Sequence, residues 1–302
     1  MPASAAGSHR AVGVALAFVG AALFSLKGVT TKFIYAYGVD ATTILALRML
    51  FSVPFFVAIA AWQRSGAGAQ PLSRSDLGRI AVLGLLSYYI ASYLDFLGLT
   101  YISATLERLT LYLYPTIVLV LSAIFLKAPV RGREVFAIAL SYAGIALVVA
   151  VGGRAGGSDV PLGAALVFGS AFTYSIYLVF STQVIRRVGS LRFTAYGMTV
   201  ASAVCVAQFL LLRPLDALVL PWSAYLWFVL LAIGHTVLPV FMTAEALKRI
   251  GATQVAIIGA IGPITTMAVD WIALGETLAP LQIAGAALVL AGVLLVTLKP
   301  GR

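Results

Sequence analysis

Lys27, Arg48, Asp95, Glu107, Arg108 and His235 all stand inside stretches that are otherwise apolar. A charge in hydrocarbon is costly, so each such group needs a partner, a cavity or a helix end. Glu107 and Arg108 are the sharpest case. Neighbours on a helix project about 100° apart. Glu107 therefore shares a face with Leu111 and Tyr114, and Arg108 with Tyr112 and Pro115. Two roles fit them. They form ion pairs with other helices, or they touch a ligand, Arg108 meeting a carboxylate and Glu107 an ammonium. Asp95, in SYLDFLGL, suits Lys27 or Arg108 as a partner. Lys27 either turns inward or snorkels to the surface. His235 has Pro239 one turn below, and fits a hydrogen-bonded neutral ring or a proton carrier.

Tyrosines are the second signal. Tyr88, Tyr89 and Tyr93, then Tyr112 and Tyr114, then Phe172, Tyr174 and Tyr177 lie away from the ends of apolar runs. Membrane aromatics usually form belts at the interface, where Trp62, Trp222 and Trp227 belong. A hydroxyl at mid-depth needs a partner or water. A wet cavity walled by tyrosine suits an aromatic or apolar side chain; hydrogen bonds between helices are the alternative. Pro115, Pro239 and Pro263, with Gly262, fall near mid-run and read as hinge or packing positions. Other chemistry finds no support. Two histidines and one cysteine, Cys205, make no metal-ligand constellation and no intrachain disulfide. No Gly-rich loop leads into Lys-Ser or Lys-Thr, so ATP use is not expected. Neither metal nor cofactor is expected, and an intramembrane enzyme lacks a nucleophile–base pair.

These residues must be held by something, and composition says what. Hydrophobic residues make up 62% of the chain and charged ones 10%, against about 25% charged in soluble domains. Mean hydropathy is +1.04. The chain is therefore all-α and integral to a lipid bilayer. The net charge of +10 sits in short clusters between apolar runs, which reads as topology rather than nucleic-acid binding. A spanning helix needs about 20 apolar residues. Ten runs qualify, at 11–34, 41–61, 80–99, 103–126, 134–151, 162–185, 191–212, 223–247, 252–274 and 278–298. The first runs too long for a signal-peptide core and reads as a retained span. SRSDLGR reads as an interfacial helix start, capped by Ser73 or Ser75. Fourteen Lys and Arg fall at the termini and in the even-numbered loops, against Arg154 and Arg213 in the odd ones. That places both termini in the cytoplasm.

The chain repeats itself. GVALAFVGAALFSL from Gly13 aligns with GAALVFGSAFTYSI from Gly163, and ATLERLTLYLYP from Ala104 with ATQVAIIGAIGP from Ala252. Leu140, Ala143, Gly144, Leu147 and Val148 face Leu288, Ala291, Gly292, Leu295 and Val296 at the same spacing. Each copy holds an odd number of spans, so the second lies upside down. The expected fold is ten transmembrane helices as two inverted five-helix repeats (5+5), residues 1–151 and 152–302. The first copy carries Glu107 and Arg108 where the second has Val255 and Ala256, which suggests a shared bent scaffold with polar recognition added to one copy. Gly144, Gly285, Ala286 and Gly292 read as close helix packing.

The segments YISATLERLTLYLYP and RIGATQVAIIGAIGP, and the ending LGETLAPLQIAGAALVLAGVLLV, resemble the EamA-type branch of the drug/metabolite transporter superfamily. Within it the chain is most similar to bacterial exporters of the YddG type, which handle aromatic and other neutral amino acids. Gly275, Glu276, Gln282, Gly285 and Gly292 carry the superfamily likeness. The first half departs from it: Lys127-Ala128 stands where the second half has Gly275-Glu276. Glu276 suits a helix start, so the departure touches the surface rather than transport. The resemblance implies a pathway lined by the first, third, fourth, sixth, eighth and ninth helices, with the fifth and tenth bracing each half and Arg48 as a recurrent structural arginine. It implies export of neutral amino acids across a bacterial inner membrane by rocking of the halves, with no oligomer required. Lys27, Tyr89, Tyr93, Asp95, Glu107, Arg108, Tyr112, Tyr174, Tyr177 and His235 are the candidate cavity residues. The rival on the same fold exports cationic drugs or phosphorylated metabolites.

Overall fold

The computed structural model describes residues 3–65, 72–102, 107, 110–152, 159–262, 264–265, 268–269 and 280–298. Regular structure among them is helical, without strands. Six helices among the described residues are long and apolar enough to cross a membrane: His9–Tyr35, Ala41–Gln63, Arg74–Gly98, Val160–Val188, Ser190–Leu212 and Trp222–Ile250. Large apolar side chains such as Val82, Phe136, Leu211 and Trp222 are exposed, as a lipid-facing wall requires.

Several of these rods are composite. The first is α1 (Ala3–Ser25) and α2 (Lys27–Tyr35), joined at Leu26. Next comes α3 (Ala41–Ser65). Asp40 caps it, accepting from the amides of Thr42 at 2.9 Å and Thr43 at 3.3 Å. Burial works against the Asp40 carboxylate, but these bonds, the Thr43 hydroxyl and the nearby Arg213 hold its pKa below the ordinary value. The third rod is α4 (Arg74–Gly84) and α5 (Ser92–Gly98), separated by a π turn over Leu85–Ala91. Ser73, not Ser75, caps it, accepting from the Asp76 amide at 3.0 Å.

The run at 103–126 is not one helix. A turn at Tyr112–Leu113 precedes α6 (Tyr114–Leu126). Pro115 sits at the start of α6, where a missing amide costs nothing. It therefore begins a helix rather than kinking one. Then follow α7 (Gly132–Gly152), α8 (Val160–Val188), α9 (Ser190–Leu212) and α10 (Trp222–Ala232). A second π turn, Ile233–Val237, joins α10 to α11 (Leu238–Ile250), just before Pro239. The run at 252–274 is also broken: α12 (Ala252–Ile258) passes into a 3₁₀ turn at Gly259–Ile261. Pro263 lies outside the described residues. The last helix is α13 (Pro280–Leu298).

Packing pairs elements of the first half of the sequence with elements of the second. α1 packs on α11, α3 on α9, α5 on α8, α6 on α12 and α7 on α13. Glycines set the closest approaches. A methyl on Gly144 would meet Val289 at 2.8 Å, and one on Gly292 would meet the Ala137 carbonyl at 2.7 Å. Likewise Gly13 abuts Arg249 and Ile250, while Gly163 abuts Tyr101 and Ile102. Each contact in the first copy has its counterpart in the second at the repeat spacing.

Candidate functional site

A cavity of about 130 Å³ opens where the paired elements converge. That is room for several waters. It draws residues from both copies: Phe24, Ser25 and Lys27; Ser87, Tyr88, Ser92 and Asp95; Glu107, Tyr112 and Tyr114; Tyr174 and Tyr177; Thr236, Pro239 and Thr243; Val255 and Gly259. Arg48 of α3 joins them.

Lys27 follows the helix break at Leu26 and lies on the inside. Its ammonium donates to Asp95 Oδ2 at 2.7 Å. The rings of Phe24 and Phe96 lie 4.9 and 5.0 Å from the same nitrogen, within cation–π range. Both members of the pair are buried, Lys27 at 7% exposure and Asp95 at 1%, so Lys27 does not snorkel. Arg48, 2% exposed, donates from Nη2 to the Ser92 hydroxyl at 3.1 Å. Its guanidinium carbon lies 5.3 Å from the Phe96 ring, which thus has both cations near it. Arg48 Nε and Asp95 Oδ1 are buried without a hydrogen-bond partner. A buried polar atom left this way costs about 1–3 kcal/mol. Glu107 is also buried on the cavity. Arg108 lies outside the described residues.

The tyrosines form a connected wall. The hydroxyls of Tyr88 and Tyr177 are 2.6 Å apart. Tyr174 stacks on Tyr177 at 5.8 Å, and Tyr114 meets Tyr174 edge-on at 5.6 Å. The Tyr114 hydroxyl donates to the Ala256 carbonyl at 2.9 Å, and Ser175 donates to the Tyr114 carbonyl at 3.3 Å. A methyl on Gly259 would overlap the Tyr114 hydroxyl, and one on Gly262 the Tyr112 hydroxyl. Those glycines leave the space into which the tyrosines of the first copy reach.

Three expected cavity residues stand elsewhere. Tyr89 and Tyr93 stack on each other at 6.4 Å beyond the cavity wall. They leave the π turn and α5 on a different side from Tyr88 and Asp95, their neighbours along the same rod. His235 is not among the lining residues either; its Nδ1 donates to the Leu23 carbonyl at 2.9 Å and ties the second π turn to α1. Conversely, Arg48, Thr236 and Thr243 reach the cavity without having stood among the candidates, and Tyr88 and Tyr114 reach it from the set of mid-run tyrosines. For Arg48 the signal was present, since it is an arginine inside a span. For Thr236 and Thr243 nothing distinguishes them from packing threonines.

The pattern of the EamA-like transporter family matches residues 11–150 and again residues 161–298. The chain belongs to the EamA-like transporter family. A Bacillus subtilis protein named "Uncharacterized transporter YcbK" is 30% identical over 287 residues, covering 91% of this chain and 89% of its own length. An "Uncharacterized transporter" of Archaeoglobus fulgidus is 26% identical over 272 residues, covering 89% of this chain and 92% of its own. One crystal structure superposes with a TM-score of 0.77 at 19% identity over 95% of this chain and 96% of that one, a likeness of fold. This EamA-like chain is thus a multi-pass membrane protein of a transporter family. Its lining bases, Lys27 and Arg48, are matched in number by its lining acids, Asp95 and Glu107, among the described residues.

Proposed function

We propose that this chain is a secondary transporter that exports neutral amino acids, aromatic ones foremost, across the bacterial inner membrane. Its two halves, residues 1–151 and 152–302, are five-helix units of opposite orientation, ten spans in all, with both termini in the cytoplasm. Three observations support that architecture. Helices pair across the repeat, the two π turns begin 148 residues apart at Leu85 and Ile233, and the glycine contacts of α7 and α13 reciprocate. The weighting of Lys and Arg toward one set of loops supports the orientation.

The observation that carries the substrate class is the cavity lining: two bases, two acids and a wall of tyrosine in one space. A zwitterion needs one group of each sign, and a buried charge without a counterpart is penalised. An α-amino acid supplies a carboxylate for a base, an ammonium for an acid and a side chain for the tyrosine rings. Substrate in the centre would then be released to alternate sides as the halves rock.

The test is counterflow into proteoliposomes with a panel of labelled amino acids. Phenylalanine, tyrosine or leucine should exchange, while lysine and glutamate should not. Flat counterflow for every amino acid removes this reading. In an active preparation, Glu107→Gln should raise the apparent KM about tenfold or more, the worth of a hydrogen bond to a charged group. An unchanged KM in a folded variant gives Glu107 a structural role instead.

A further inference from the structure

Away from the central cavity, the start of α4 meets the end of α8. Arg187 of α8 pairs with Asp76 Oδ1 in the first turn of α4. The Ser73 hydroxyl donates to the other Asp76 oxygen at 2.8 Å. Beside this pair lies a second cavity, of about 650 Å³, between the two helices. Ser75, Arg79 and Val82 line it from α4, and Phe180, Gln183 and Arg187 from α8.

The order of these residues matters. Positions three or four apart share a helix face, so each trio is one stripe. Along α4 the stripe runs from polar to apolar; along α8 it runs from apolar to polar. The helices are antiparallel here, because the first turn of one is bridged to the last turns of the other. Both stripes are therefore polar at the same end and apolar at the other. The polar end lies at the ends of two helices long enough to cross a membrane, which is interfacial depth. Arg79 is exposed, and Val82 is 58% exposed, so protein covers neither. Asp76 offsets one of the two arginines, and the groove keeps an excess of positive charge. Arg74 and Arg186 stand beside it on the same helices.

We propose that this groove binds one anionic phospholipid, its phosphate on Arg79 and Arg187 and an acyl chain along Val82 and Phe180. A free phosphate would use the basic end and leave the apolar end unfilled. A zwitterionic lipid would fill the shape but gain little from the charge, whereas basic groups at a membrane surface favour anionic lipid. Occupancy would clamp α4 to α8, the elements that lead into Tyr88 and carry Tyr177. The lipid site stands independently of the transported substrate.

Native mass spectrometry of the full-length protein, supplied with equal phosphatidylglycerol and phosphatidylcholine, tests it. Phosphatidylglycerol should be retained in preference. Arg79→Gln should lower that retention about fivefold, the worth of one basic group at an anionic surface. Arg79→Lys should restore it, and Arg213→Gln, beyond the far end of α9, should not alter it. Millimolar inorganic phosphate should not displace the lipid. Equal retention of the two lipids, an Arg79→Gln protein that behaves as wild type, or displacement by phosphate overturns the proposal.

Discussion

The Lys27–Asp95 pair is held deep in the molecule by a helix break and two aromatic rings. Taking two charges out of water costs several kcal/mol each, and their attraction offsets this only with good geometry. Removing one partner strands the other among Phe24 and Phe96. Asp95→Ala should therefore lower stability by about 3–5 kcal/mol, read from unfolding in a denaturing-detergent titration. The double variant Lys27→Met with Asp95→Leu should recover most of that loss, since it leaves no stranded charge. A double variant as unstable as the sum of the singles would show that these side chains matter for packing and not for charge. Each in-span charge was legible in the sequence because hydrocarbon gives it nowhere to hide. Its partner was not: Asp95 suited Lys27 or Arg108, and the bend at Leu26 turns Lys27 onto it. For Arg48, the sequence argued a structural arginine; the fold puts it on the cavity as well, with Nε unmatched.

At the scale of elements, the breaks are what build the cavity. Pro115 and Pro239 mark two of them, each in the first turn of a new helix, where the missing amide leaves no bond unmade. The π turn at Leu85–Ala91 has no proline, and nothing in LLSYYIA announces it. Its counterpart at Ile233–Val237 reveals it as a property of the repeat rather than of local composition. Gly259, at the start of the 3₁₀ turn, was equally silent. In the sequence Gly262 reads as a hinge or packing position; in the fold both glycines receive tyrosine hydroxyls. Gly259→Val should cost about 1–3 kcal/mol through overpacking. Adding Tyr114→Phe, which removes the atom in the way, should return part of that stability. If the double variant is less stable than Gly259→Val alone, the interlock of α6 with α12 does not set the cost.

For the whole molecule, one design is used twice, with the chemistry unevenly shared. Span positions were legible from hydrophobic runs to within a few residues for the unbroken helices, as at Ser190–Leu212. The runs at 103–126 and 252–274 misled, since an apolar stretch does not record where its backbone turns. Periodicity also says nothing of which helices touch across the repeat; that is set at glycines that admit a close neighbour, Gly144 and Gly292 between α7 and α13, Gly13 against Arg249 and Ile250, and Gly163 against Tyr101 and Ile102. The central claim is that the second unit lies upside down relative to the first. Ala36 and Arg186, 150 positions apart and both exposed at the ends of their spans, occupy equivalent places in the two units. With the buried Cys205 replaced by serine, Ala36→Cys and Arg186→Cys should react with a membrane-impermeant maleimide from opposite faces of the membrane. Labelling of both from the same face would contradict the inverted arrangement and the transport pathway built on it.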